Sequence, residues 1–338
     1  MSKQYIISKE MPEVIEILQN RDVIKNNITR QAVLGKERDD ESLKLFLNKD
    51  LTYKIEDKAV IEFLGRLKLG ISPDFIKDAF SLNNENIIWI NSIIKSYYDE
   101  RYKTGNKNSL LYARAVKDIF TPNQHEIRHV CTGRYTPLQD ATLPNIIEEN
   151  FDSYLRFHEA SINKYTTKFR YFSDDSVEIE GRDILFGYGI INSEFGYNSF
   201  GVAIFECDTE CSNQFITRKE RFGTRIPHKA TDPETYALKF KDNIKALNDN
   251  VDIYKKLLQE SNKTPLKIKK IDDIIEDPPN SNVRILPEYI KHRIIDVFEE
   301  DNLGLTNFGL RSAMTRIIKD ERELEDHILL IKAIDSLI

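Results

Sequence analysis

Apolar residues recur at spacings of three and four along Glu13 to Gln19, Glu41 to Leu47, Asp57 to Leu67, Pro73 to Phe80 and Ile87 to Tyr98. That period marks amphipathic helices and predicts a mostly helical N-terminal region over residues 1–120. Ser72-Pro73-Asp74 has the form of a helix start, with Ser72 as N-cap and Pro73 at the first helical position, where its missing N–H is harmless. The polar stretch from Lys103 to Ser109 predicts an exposed loop before the apolar run Leu110 to Phe120. From Glu126 the pattern changes to alternation through Val130 and Tyr135, the mark of a strand, and Thr136-Pro137 breaks it ahead of a helix from Pro144 to His158. Three strands follow, Thr166 to Phe172, Asp183 to Ile191 and Ser199 to Cys207, separated by Ser173-Asp174-Asp175 and by a turn at Asn192 to Gly196. A long helix from Pro233 to Leu258 carries Tyr236, Phe240, Ile244, Leu247, Val251 and Tyr254 at helical spacing. The polar SNKTPLKIKK and acidic IDDIIEDPPN segments read as a linker, and the last helices cover Pro287 to Glu299 and Leu305 to Ile338.

The fold class expected is α+β: an antiparallel β-meander packed against helices in a core at 125–262, flanked by a helical region at 1–120 and by a linker and helices at 263–338. Side chains alternate along a strand, so the two faces of the meander differ. Ile184, Phe186, Tyr188 and Ile190 share one side of the second strand, and Leu185, Gly187 and Gly189 share the other. The third strand sets Phe200, Val202 and Ile204 against Gly201, Ala203 and Phe205, and the first sets Phe169 and Tyr171 against Lys168 and Arg170. A sheet with one bulky and one sparse face can pack helices on the first and admit a ligand on the second; equally, the glycines serve only to let the sheet coil or a helix approach.

Composition narrows the class without naming a chemistry. With 338 residues, 40% of them hydrophobic, the chain can bury a large core, and the length prior allows about two domains. The longest apolar stretches are too short to span a bilayer and the N-terminus lacks a signal-type apolar core, so residence in the cytoplasm, with no membrane partner, is the expectation. Cys131, Cys207 and Cys211 are odd in number and lack CxxC spacing, which points to reduced thiols rather than a disulfide framework or a zinc site. A net charge of −6 excludes a histone-like coat of positive charge and leaves room for a local basic strip.

That strip is Arg218-Lys219-Glu220-Arg221-Phe222-Gly223-Thr224-Arg225-Ile226-Pro227-His228-Lys229. Its cations could neutralise phosphates and Phe222 could stack on a base, so that Arg218, Lys219, Arg221, Phe222, Arg225, His228 and Lys229, with Lys168 and Arg170 on the sparse face, would form a track for a single strand. A solvated basic loop fits the same residues. His125-Glu126-Ile127-Arg128-His129 matches the HExxH zinc-peptidase pattern, with Glu148, Glu149 or Glu159 as third-ligand candidates. That chemistry needs a helix, whereas in a strand His125 and His129 would lie about 13 Å apart, too far to share one metal. Arg134 and Tyr135 precede the break as contacts or as strand anchors. The acidic turn of Asp174, Asp175, Glu178 and Glu180 lacks the spacing of a calcium loop. The chain has no GxxxxGK[ST] loop, no GxGxxG after a strand and no GxSxG elbow, so nucleotide hydrolysis, dinucleotide binding and α/β-hydrolase chemistry lack their signatures.

LGISPDFI and IIWINSII, then RHVCTGRYTPLQD, IINSEFGYNSFGVAIFE with RIPHK, and TNFGLRSAMTRI follow one another in an order that resembles the phage/plasmid-like family classed as domain of unknown function 932. The likeness spans roughly residues 60 to 317, and its most telling pieces are GRYTPLQD and NSEFGYNSF. Where that family has a Cys-Ser-Asn-Gly turn, this chain has Cys211-Ser212-Asn213-Gln214. The resemblance implies a role in replication, recombination or maintenance of mobile DNA in a bacterial or archaeal cell, without supplying a reaction. At the level of topology, helix, three antiparallel strands and helix is similar to the core of phage single-strand annealing proteins of the RecT/Redβ and Erf kind, which implies a homo-oligomeric ring or filament on single-stranded DNA. The leading expectation is therefore a non-catalytic protein that binds single-stranded DNA and promotes annealing, with no cofactor and no catalytic residue. The rivals are a zinc-dependent hydrolase centred on His125, Glu126 and His129, and a protein-binding factor acting on host machinery.

Overall fold

Alternation, more than helical period, governs the first two-thirds of the chain. The computed structural model describes residues 5–29, 31–37, 40–47, 51–67, 84–104, 111–133, 135–150, 155–208, 214–216, 223–228, 233–320 and 324–337. The first strands are β1 (Tyr5–Ser8), β2 (Asp22–Ile28), β3 (Val33–Glu37), β4 (Asp40–Phe46), β5 (Thr52–Ile55), β6 (Leu111–Lys117) and β7 (Glu126–Thr132). Then come β8 (Leu155–Asn163), β9 (Thr167–Ile179), β10 (Arg182–Asn192), β11 (Phe200–Asp208), β12 (Gln214–Ile216) and β13 (Gly223–Ile226). The helices are α1 (Met11–Gln19), α2 (Asp57–Arg66), α3 (Asn84–Thr104), α4 (Leu143–Asn150), α5 (Pro233–Lys263), α6 (Glu288–Glu300), α7 (Asn307–Asp320) and α8 (Leu324–Asp335), with single turns at Asp140–Thr142, Ile271–Ile274 and Ser281–Arg284. Among the described residues no helix is long and apolar enough to cross a membrane.

The α+β class holds, with two sheets where the pattern led us to expect one. The meander sheet has the order β1-β8-β9-β10-β11-β12, with β13 also on β11. The second sheet, β2-β6-β7-β5-β4-β3, draws almost wholly on the region expected to be helical. Glu41 to Leu47 is part of this correction: it lies in β4 and just beyond, because Leu45 and Leu47 are buried two residues apart, the strand period, while the spacing from Leu43 to Phe46 and Leu47 mimics a helix. The run from Leu110 is strand β6, and β7 pairs with β6 and β5 of the N-terminal strands, so the expected boundary before residue 125 cuts through a sheet. The helix expected over Pro144 to His158 ends at Asn150, and Leu155 already begins β8. Ser72-Pro73-Asp74 and the Pro73 to Phe80 helix lie outside the described residues.

The three-strand meander is present and larger than expected. β9 runs through Ser173-Asp174-Asp175, and the chain reverses instead at Glu180-Gly181, with φ of 54° and 76° and Ile179 opposite Arg182. Two central residues with positive φ form the tight hairpin connection whose twist matches that of the strands. Asp174, Asp175 and Glu178 accordingly lie along a strand and only Glu180 is in the turn, and Asp174 pairs with Arg156 at 3.0 Å.

Each sheet has its own core. The bulky face of the meander packs on α1, α4 and α5 through Phe169, Tyr171, Phe186, Tyr188, Phe200, Val202, Tyr236, Phe240 and Tyr254. The second sheet packs on α2 and α3 through Ile55, Phe63, Ile94, Ala113, Ala115, Ile127 and Val130. A third cluster joins α6 to α8, and it includes Leu266, Ile271, Ile274, Val283 and Leu286. Residues 264–286 are therefore a packed part of the C-terminal bundle and not a linker; their polar look comes from Lys267, Lys269 and Lys270 on the outside. This bundle is fastened to the meander by Arg311 of α7, which pairs with Glu206 of β11 and donates to Tyr254 Oη of α5 at 3.0 Å, while Tyr254 Oη donates to Glu206 at 2.8 Å. Arg311 is 3% exposed, so losing it strands a buried carboxylate. Arg311→Ala is expected to lower the unfolding free energy by about 3–5 kcal/mol in denaturant melts, and Arg311→Met combined with Glu206→Leu to recover much of that loss.

Candidate nucleic-acid interface and the polar joint between the sheets

The sparse face of the meander is filled at one end by its own side chains. Gly187 stands opposite Phe172 on one side and Phe205 on the other. With no side chain between them, those two rings stack at 4.9 Å, and His158 lies 4.6 Å beyond Phe172. One row along, Arg170 faces Gly189; its guanidinium pairs with Glu159 and lies 5.6 Å from the Phe205 ring centre. Phe205 is fully buried. Arg170 therefore spends its charge on a neighbouring strand, which removes it from the expected phosphate track.

The other end of the same face differs. Lys168, Ile191, Gly201 and Arg225 stand opposite one another across β9, β10, β11 and β13, with Ser161 and the exposed Ile7 continuing the row through β8 and β1. The Ile191 methyl and the Arg225 stem flank the space that a Gly201 side chain would enter, at 3.3 and 3.8 Å, which places them on this face. Lys168 is half-buried and Arg225 exposed. Three strand spacings separate them, about 14 Å.

His228 leaves the candidate set. It is buried, with Nδ1 3.3 Å from Tyr236 Oη and Nε2 3.2 Å from the Asn198 carbonyl, and burial lowers its pKa below the ordinary imidazole value. A neutral ring with both nitrogens engaged cannot serve as a phosphate cation. Arg218, Lys219, Arg221, Phe222 and Lys229 lie outside the described residues.

The HExxH segment is strand β7, so the zinc geometry fails for the reason a strand implies. His125 Nε2 meets Asp22 of β2 at 2.8 Å, whereas His129 is buried with Nδ1 2.7 Å from Glu62 of α2. Among the described residues no group of three His, Cys, Asp or Glu side chains could hold a metal. Burial keeps the His129 pKa below its ordinary value, and its Nε2 has no hydrogen-bond partner. Gly196, at φ 72°, covers the ring: a Cβ there would fall 2.6 Å from His129 Cε1. Tyr135 fills the space between His129 and His228, with ring centres 4.5 and 5.6 Å away, and donates to the Glu194 carbonyl at 3.1 Å.

Arg128 opens a larger polar assembly that the sequence pattern did not single out. A bulge opposite Arg114 and Ala115 turns Arg128 toward the meander sheet. Its two terminal nitrogens donate to Asp118 at 2.7 and 2.9 Å, to Thr121 Oγ1 at 2.9 Å and to the Lys164 carbonyl in the β8–β9 turn at 2.9 Å. Arg21, which follows α1, donates to Asp140 at 2.6 Å and to the Asn163 carbonyl at 3.2 Å, and lies 3.7 Å from Asp118. Asp140 also accepts from Thr167 Oγ1 and Asn192 Nδ2, each at 2.6 Å, and its own N–H donates to Glu194 at 2.5 Å. Phe195 is buried between the two guanidiniums, 6.0 and 5.7 Å away. Nearer the surface, Lys164 pairs with Glu56 and, at 2.5 Å, with Glu126, and Tyr165 donates to Glu56 at 2.6 Å.

Electrostatics sort these acids. Burial, the largest single effect, would raise the Asp118 pKa, but the hydrogen bonds and charge of Arg128, the charge of Arg21 and the Phe120 N–H together outweigh it and hold the carboxyl below its ordinary value. Glu194 is pushed up to about 7, first by burial and then by the Asp140 charge. A signal for these residues existed in charged positions set among apolar ones, Arg128 beside Ile127 and Asp118 near Val116, but only the fold shows whom they meet.

No protein-family model, no curated protein and no solved structure matches the chain. The Arg128–Asp118 pair is fully buried, so Arg128→Met or Asp118→Leu alone is expected to cost about 3–5 kcal/mol of stability. The double variant should cost clearly less than the sum, measured by a double-mutant cycle in urea.

Proposed function

We propose that the chain binds a single-stranded nucleic acid along the Lys168–Ile191–Gly201–Arg225 row of the meander sheet. The observation that supports this reading is the row itself: half-buried Lys168 and exposed Arg225 stand about 14 Å apart on one face, with Ile191 between them as an apolar contact. The helices that contact the meander through its core lie on its opposite, bulky face. The cations would set the phosphate backbone, which gives binding without base-edge readout. The resemblance to phage/plasmid-like proteins adds a role with mobile DNA, and the topology-level likeness to phage annealing proteins adds single-stranded DNA as the polymer and annealing on a homo-oligomer as the activity. Arg170 and His228 take no part in this version of the track.

The reading is tested by fluorescence anisotropy with a labelled oligonucleotide over a series of salt concentrations. Lys168→Ala with Arg225→Ala is expected to weaken binding and to reduce the slope of log K against log salt by about 1.4, from ~0.7 per phosphate contact. Arg156→Ala, which removes a cation paired with Asp174 away from the row, should leave that slope unchanged. Equal affinity and slope for the double variant and the parent protein would overturn the proposal.

A further inference from the structure

The contact between the two sheets is built differently from either core. The cores are separate apolar clusters, and what crosses from one sheet to the other includes Arg128 to the Lys164 carbonyl, Arg21 to Asp140 and the Asn163 carbonyl, Lys164 to Glu56 and Glu126, and Lys58 to the Phe195 carbonyl at 3.4 Å. At its centre three carboxyls, Asp118, Asp140 and Glu194, face two guanidiniums. Arg128 spends both terminal nitrogens on Asp118, and Arg21 lies on Asp140. Among the described residues Glu194 has no ion-pair partner, and it is 4% exposed. A second full negative charge beside Asp140 would be met only by Arg21, already placed on Asp140, and by Arg114 of β6, whose pull does not offset the burial of Glu194.

We infer that this joint is a proton-controlled clamp: with Glu194 protonated, the 192–198 segment stays seated on Asp140 and the sheets are held together, and with Glu194 ionised, that segment lifts and the joint opens locally. Asp140 is an acceptor throughout, taking hydrogen bonds from Arg21, Thr167 and Asn192. The proton therefore resides on Glu194, whose neighbours from each side are Asp140 of the Asp140–Thr142 turn, Arg21 after α1, Arg114 of β6 and Tyr135 after β7. Asp118, Arg128, Lys164 and Glu126 stand one shell further out, as do His129 with Glu62 and His228. The sign follows from linkage. A carboxyl whose pKa is raised in the closed joint favours closure while it is protonated, and that advantage is lost as pH rises toward and through the raised value of about 7. Lys164, drawn down to about 8 chiefly by burial, begins to titrate at the upper end of this interval, and Glu194→Gln separates its contribution from that of Glu194.

The test is hydrogen–deuterium exchange of the full chain at pH 6 and pH 8, corrected for intrinsic exchange rates. Exchange in residues 138–142 and 192–198 is expected to rise about tenfold between the two, the ratio that a shift from 4.5 to about 7 produces over that interval, while α6 to α8 stay unchanged. Glu194→Gln should abolish the rise and His228→Gln should keep it. A carbon-13 titration of the unmodified protein's carboxyls should show one glutamate with a midpoint near 7, which decides the matter even where a variant does not fold. A flat exchange profile in the parent protein, a rise that persists in Glu194→Gln, or the absence of such a glutamate would overturn the clamp.

Discussion

Two guanidiniums held between carboxylates govern how this chain is put together. Arg128 and Arg21 come from strand β7 and from the turn after α1, and their partners, Asp118, Asp140 and the Asn163 and Lys164 carbonyls, come from both sheets. Each sheet satisfies its apolar surface on its own helices, which leaves an ionic layer to fix their relation. Such a layer is costly to desolvate and is stable only when every member is paired. The dense hydrogen bonding of Asp140, Asn192 and Ser193 follows from that demand: Asn192 also donates to the Leu138 carbonyl at 2.8 Å, and Ser193 Oγ donates to the Tyr165 carbonyl at 2.7 Å.

Two segments, Tyr135 to Asp140 and Asn192 to Tyr197, meet at this joint. They are the two stretches that close over the ionic layer. Tyr135 and Asp140 come from the first, and Asn192 to Tyr197 from the second, with Tyr197 stacked on Tyr165 at 4.2 Å. Gly196 is required there for two reasons, a positive φ and the lack of any space between it and His129. The proposed ligand row begins one residue away, since Lys168 follows Thr167 and Ile191 precedes Asn192. Binding on the row and closure of the joint thus share the ends of β9 and β10.

On the sparse face, glycines do two kinds of work. At Gly187 a side chain would strike the Tyr171 carbonyl beside the β9–β10 irregularity, and Phe172 and Phe205 stack across the strand, so an apparent opening is filled from both sides. At Gly201 the Ile191 methyl, the Thr224 carbonyl and the stem of Arg225 come close, and the glycine itself is buried. The alternation of large and small residues correctly divided the two faces. It could not tell which neighbours close over each glycine, because that depends on the register between strands.

Alternation within β9, β10 and β11 by itself determined the meander, its bulky helix-covered side and the place of Lys168 on the other side, because the two-residue period acts within each strand, whereas Arg225, read as part of a basic loop, reaches that side only through the pairing of β13 with β11. Helical spacing likewise determined α1, α2, α3 and α5. The six-stranded second sheet was not legible: its short strands carry apolar residues at spacings that fit either period, and β5 pairs with β7 across some seventy intervening residues. The ionic joint was hidden for the same reason. Arg21, Asp140 and Glu194 are scattered along the chain with no local mark, and Asp118 and Arg128, though set among apolar residues, do not reveal their partners until the tertiary structure removes water and brings them within hydrogen-bond distance.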